Sequence, residues 1–75
     1  MKMVFEEAVK AYISANVLAF GNAHGVCRPL EADSDMDASG RWTLRNGMRD
    51  KSNGFLAYVT PTGKVLNSRF KPLYA

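Results

Sequence analysis

The chain has 75 residues, 47% of them hydrophobic, and sets ten lysines and arginines against seven aspartates and glutamates, for a formal net charge of +3. Its single cysteine excludes an intrachain disulfide framework, and the ordinary hydrophobic fraction with a small net charge excludes intrinsic disorder. The length fits one domain, residues 1–75, close to the size at which a single core only just offsets chain entropy, so self-association is a live expectation.

The first predicted element is a helix over 4–20. On a helical wheel, Val4, Phe5, Ala8, Val9, Ala11, Tyr12, Ile13, Ala15, Ala19 and Phe20 fall in one arc about 200° wide. Gly21 and Asn22 supply the stop, and Glu6 and Glu7 suit the first turn. A helix lying on a small sheet needs a stripe of only about 100°. The surplus implies either that the sheet curls around the helix or that a second protomer covers Ala11, Ala15 and Leu18 as a homodimer face. Asn16 sits inside the apolar arc, where it either bonds a backbone group under the sheet or pairs across a dimer. Between Ala11 and Cys27 there is no charge, but Ser14, Asn16, Asn22 and His24 interrupt a stretch already short of the roughly 20 apolar residues of a membrane span, so none is expected. Glu6, Glu7 and Lys10 stand where the apolar part of a signal peptide would lie, and the expected location is cytoplasmic.

Gly25 to Ala32 allows at best a short edge strand, because Pro29 breaks it. Asp33 to Gly40 reads as an acidic loop. The alternation in 41–45 predicts a half-buried strand with Trp42 and Leu44 on one face and Arg41, Thr43 and Arg45 on the other. Asn46 to Gly54 is a long charged loop around Arg49 and Lys51. Phe55 to Thr60 and Lys64 to Phe70 are two further strands, joined through Pro61, Thr62 and Gly63 in a register that opposes Tyr58 to Leu66 and Val59 to Val65. Both faces of this hairpin carry apolar residues, and Leu73 and Tyr74 of the tail are expected to tuck against the core. The predicted fold is α+β: one N-terminal helix packed on a three- to four-stranded antiparallel meander over 41–70.

Catalytic and metal chemistry find little support. Asp33, Asp35 and Asp37 suggest a calcium loop, but the sixth and twelfth positions, which need glycine and a bidentate glutamate, hold Ala38 and Leu44. His24 and Cys27 offer two ligands where structural zinc needs four, and a Cys–His nucleophile would also need an oxyanion hole and an orienting group. Paired carboxylates and phosphate-binding glycine loops are absent, so no enzyme, metal or cofactor is expected.

Charge is segregated. Glu31 to Asp37 carries four acids and no base, whereas Arg41 to Lys71 carries seven bases and one acid. Arg41, Arg45, Arg49, Lys51 and Arg69, interleaved with Trp42, Phe55, Tyr58 and Phe70, suit either an acidic protein surface or nucleic acid. Asp33, Asp35 and Asp37 form a second candidate partner contact.

The run Arg41-Trp42-Thr43-Leu44-Arg45-Asn46, then Gly54-Phe55-Leu56-Ala57-Tyr58-Val59 and Gly63-Lys64-Val65, resembles a W-x-L-R-N, G-x-L-A-x-V, G-K-V pattern of short bacteriophage and prophage accessory proteins. The resemblance covers the second half of the chain, with a longer loop at Met48 to Asn53. It implies a protein that binds and blocks a host protein or complex, as anti-CRISPR and other host-takeover proteins do, working in the host cytoplasm. It carries no catalytic residue. A nucleic-acid-binding module using the basic half is the alternative.

Overall fold

A computed structural model describes residues 3–22, 26–48 and 54–73. Helix α1 spans Phe5–Phe20, with Val4 extended before it as the N-cap. Valine has no acceptor for the free N–H groups of the first turn. Glu7 compensates by turning back, and its Oε1 accepts the Val4 N–H at 3.0 Å. At the other end the Gly21 N–H donates to the Val17 carbonyl at 2.8 Å, with glycine in the left-handed conformation that closes a helix.

Four strands follow: β1 Asp35–Met36, β2 Trp42–Arg45, β3 Phe55–Val59 and β4 Val65–Leu66. They form one antiparallel sheet in the order β1-β2-β3-β4, and the fold is α+β with α1 packed on the sheet. Phe5, Ala8, Val9, Tyr12 and Ala15 of the helix meet Leu44, Ala57, Val59 and Val65 of the sheet in one buried core. Trp42 packs at its margin, edge-on to Phe5 at 5.7 Å, and its Nε1–H donates to the Met3 carbonyl at 2.9 Å, tying β2 to the chain entering the helix. The indole thereby buries its rings and keeps its polar handle satisfied. Tyr58 opposes Leu66 and Val59 opposes Val65, the register expected from the Pro-Thr-Gly turn.

Two expected strands are corrected. No strand forms among the described residues of Gly25 to Ala32; a turn of 3-10 helix over Glu31–Asp33 follows, and the edge strand β1 lies in the stretch expected to be an acidic loop. Ser34 explains the shift. Its hydroxyl donates to the Leu30 carbonyl at 2.8 Å and accepts the Arg45 N–H at 3.0 Å, aligning the next two residues with β2. The strand expected over Lys64 to Phe70 ends at Leu66, where Asn67 starts a tight turn. Beyond the turn, Pro72 bridges back to Leu66, the Leu73 N–H donates to the Val65 carbonyl at 3.0 Å, and Leu73 packs on the core as expected; Tyr74 lies outside the described residues.

Candidate binding surface on the outer face of the sheet

Alternation alone places Phe55 beside Ala57 and Val59, inside. The sheet places it outside, because the β2–β3 register shifts between Leu44 and Arg45: Leu44 opposes Ala57 but Arg45 opposes Phe55. Leu56, the extra residue of this bulge, packs toward the core instead. Phe55 therefore joins Tyr58 at 4.9 Å between ring centroids, and Tyr58 stacks on Phe70 at 4.7 Å with the planes only 14° apart. The Arg41 guanidinium carbon lies 4.8 Å from the Tyr58 centroid and 4.8 Å from the Phe70 centroid. Three aromatic rings and a cation thus form a continuous platform on the face turned away from the helix.

The three turns beside this platform are built alike. In each, the N–H of the first residue donates to the carbonyl of the fifth, and the N–H of the fourth donates to the carbonyl of the first: Asp37 to Arg41, Thr60 to Lys64, and Asn67 to Lys71. The first residue's side chain also accepts the fifth N–H, through Asp37 Oδ1 at 3.0 Å, Thr60 Oγ1 at 3.1 Å and Asn67 Oδ1 at 3.1 Å. The fourth position is left-handed every time. Glycine fills it at Gly40 (φ 90°) and Gly63 (φ 89°), but the third turn puts Phe70 there, at φ 61°. This side-chain acceptor pattern, with a cation in fifth place (Arg41, Lys64, Lys71), is the sequence signal by which the third turn could have been found.

The two charge clusters lie against each other. β1 runs antiparallel to β2, so acids spaced two apart meet successive partners along it. Asp37 Oδ2 is 3.4 Å from Arg41 Nε, Asp35 Oδ2 is 3.1 Å from Arg45 Nη1, and Asp33 Oδ2 accepts the Gly47 N–H at 2.8 Å. Asp37 Oδ1 also accepts the Ser39 hydroxyl at 2.6 Å and the Ser39 N–H at 2.9 Å. The Ser39 hydroxyl and the Arg41 N–H, ahead of the Ser39 N–H and the Arg41 charge, hold the Asp37 carboxyl below the ordinary carboxylate range. The three acids are occupied in fastening β1 and its flanks to β2. Lys64, Arg69 and Lys71 are placed differently: they form no ion pair among the described residues, and Arg69 and Lys71 flank Phe70 and are exposed.

Of the remaining candidates, Arg49, Lys51 and His24 lie outside the described residues. Cys27 is a free, partly buried thiol. Among the described residues no group of three or more His, Cys, Asp or Glu is arranged to hold a metal ion, and no helix is long and apolar enough to cross a membrane. The proposed dimer face divides: Ala15 is buried in the chain's own core and Ala11 packs against it, whereas Leu18 is 67% exposed near Val17 and Phe20 at the end of the helix. Asn16 is buried and donates from Nδ2 to the Tyr12 carbonyl one turn back at 2.9 Å, the backbone alternative of the two considered for it.

Comparison with protein-family models, curated proteins and solved structures finds no match to the chain.

Proposed function

We propose that the chain is a small non-enzymatic binding protein, encoded by a phage, that occludes a surface of a host protein or complex with the outer face of its sheet. The observation that supports this is the Phe55, Tyr58, Phe70 and Arg41 platform. The core is complete on the helix side without it. Aromatic residues and arginine are the types that dominate binding energy at protein interfaces, and the surrounding mixture of Asp35, Asp37, Arg45, Arg69 and Lys71 supplies a polar rim of both signs.

Nucleic-acid binding is the second reading, favoured by Lys64, Arg69 and Lys71, which form no ion pair among the described residues, and by the stacked rings. Against it, Arg41 and Arg45 are already engaged by Asp37 and Asp35, and exposed carboxylates on that edge would repel a phosphate backbone.

The test is capture from bacterial lysate, before and after nuclease treatment, by the tagged wild type, by Thr43→Glu and by Lys10→Glu. Thr43 lies on the outer face opposite Tyr58, whereas Lys10 is exposed on the helix. Wild type and Lys10→Glu are expected to retain the same protein and Thr43→Glu to lose it. Retention of nucleic acid before nuclease treatment and of no protein after it would overturn the proposal in favour of the second reading.

A further inference from the structure

Phe70 breaks the rule its sister turns obey. The hydrogen-bond pattern of Asn67 to Lys71 repeats that of Asp37 to Arg41 and Thr60 to Lys64, and only Phe70 places a bulky side chain at the left-handed position where Gly40 and Gly63 stand. Local conformation disfavours it. Residues held in such strained conformations cluster at ligand-binding sites, where the surrounding structure fixes them for a task. Here the backbone of the turn sets the ring on Tyr58, under the Arg41 guanidinium, and still leaves Phe70 52% exposed. Of the exposed large apolar side chains among the described residues, Phe70 is the one held in the left-handed region. On either side in the chain, Arg69 and Lys71 are exposed and free of ion pairs among the described residues.

We propose that Phe70 is a recognition anchor, and that it and the flanking Arg69 and Lys71 receive a carboxylate-rich polypeptide segment bearing an aromatic side chain. The inference rests on the outer-face reading above and names the partner chemistry of that site. An aromatic group extends the Phe70–Tyr58 stack, and the carboxylates of the same segment meet the exposed Arg69 and Lys71 at its rim. Charge complementarity selects an acidic segment. The carboxylates of Asp35 and Asp37 bound this acceptor region on one side and favour a short contact over a polyanion tracking across the sheet.

A random copolymer of glutamate and tyrosine is a direct probe, with polyglutamate and oligothymidylate as comparisons. Wild type is expected to bind the copolymer more tightly than either. Phe70→Gly, which suits the turn, is expected to weaken copolymer binding about tenfold or more, and Phe70→Tyr to retain it. Phe70→Asn, also tolerant of the left-handed conformation, should match Phe70→Gly and serves if glycine loosens the chain. Circular dichroism confirms folding of each variant. Unchanged binding by folded Phe70→Gly together with a loss in Thr43→Glu would overturn the anchor while leaving the outer-face reading intact. Unchanged binding by both would overturn both. Failure of the wild type to bind the copolymer, or tighter binding of oligothymidylate that Phe70→Gly weakens, would overturn the acidic-polypeptide assignment.

Discussion

A left-handed backbone costs an L-residue about 1–2 kcal/mol relative to its ordinary conformations, and glycine escapes that penalty. At Phe70 the penalty is opposed by stacking on Tyr58, about 0.5–1.5 kcal/mol, and by an exposed cation–π contact with Arg41 of about 0.5–1 kcal/mol. These terms nearly cancel. Their separate removal gives an order of stability opposite to the usual one. Phe70→Ala loses the ring and keeps the strain, whereas Phe70→Gly loses both. Glycine ordinarily destabilises relative to alanine, but here Phe70→Gly is expected to be the more stable variant by about 1 kcal/mol, a difference of about 4–8 °C in melting temperature for a domain this size. Thermal melts of the two proteins decide it: an alanine variant that melts at or above the glycine variant would show the turn to be unstrained.

At the scale of elements, the joint between β2 and β3 governs the platform. Gly54 has φ +66°, and a Cβ there would overlap the Asn46 carbonyl, which belongs to the residue whose N–H donates to the Gly54 carbonyl at 3.0 Å. Gly54→Ala combines left-handed strain with a backbone clash and is expected to destabilise the chain by about 3 kcal/mol or more, read as a lowered urea midpoint. A midpoint within error of wild type would mean the joint rearranges freely. The same joint explains what the sequence could reveal. Helix α1, the Trp42 and Leu44 face and the Thr60 to Lys64 turn were legible because periodicity, alternation and a Pro-x-Gly signal are local. β1 was not legible, since Asp35 and Met36 are paired by contact with β2 rather than by strand propensity. Arg41, Phe55, Tyr58 and Phe70 were candidates from the sequence, but their assembly on one face was not legible for a related reason: one residue of bulge moves Phe55 to the opposite face, and phenylalanine conceals the turn at Asn67.

Across the whole molecule, the opposed charge clusters act on each other first. A chain whose net charge is only +3 places its acidic segment against its basic strand, so that Arg41 and Arg45 are held in position, whereas Arg69 and Lys71 on either side of Phe70 form no ion pair among the described residues. Asp37 links these functions, because its carboxylate closes the β1–β2 turn and pairs with the arginine lying over the rings. Its pKa is lower in the folded chain than the value of about 3.9 for a free aspartate. The unfolded chain therefore binds this proton more readily than the folded one. The stabilisation is fully present above the unfolded pKa and drains away as the pH falls through the folded value. Asp37→Asn keeps an Oδ1 acceptor for the Ser39 and Arg41 N–H groups but does not titrate. Its melting temperature is expected to lie below wild type at neutral pH and to converge on it below about pH 4 as the wild-type carboxylate takes up its proton. Parallel melting curves for the two proteins down to about pH 2 would remove Asp37 as a source of acid sensitivity.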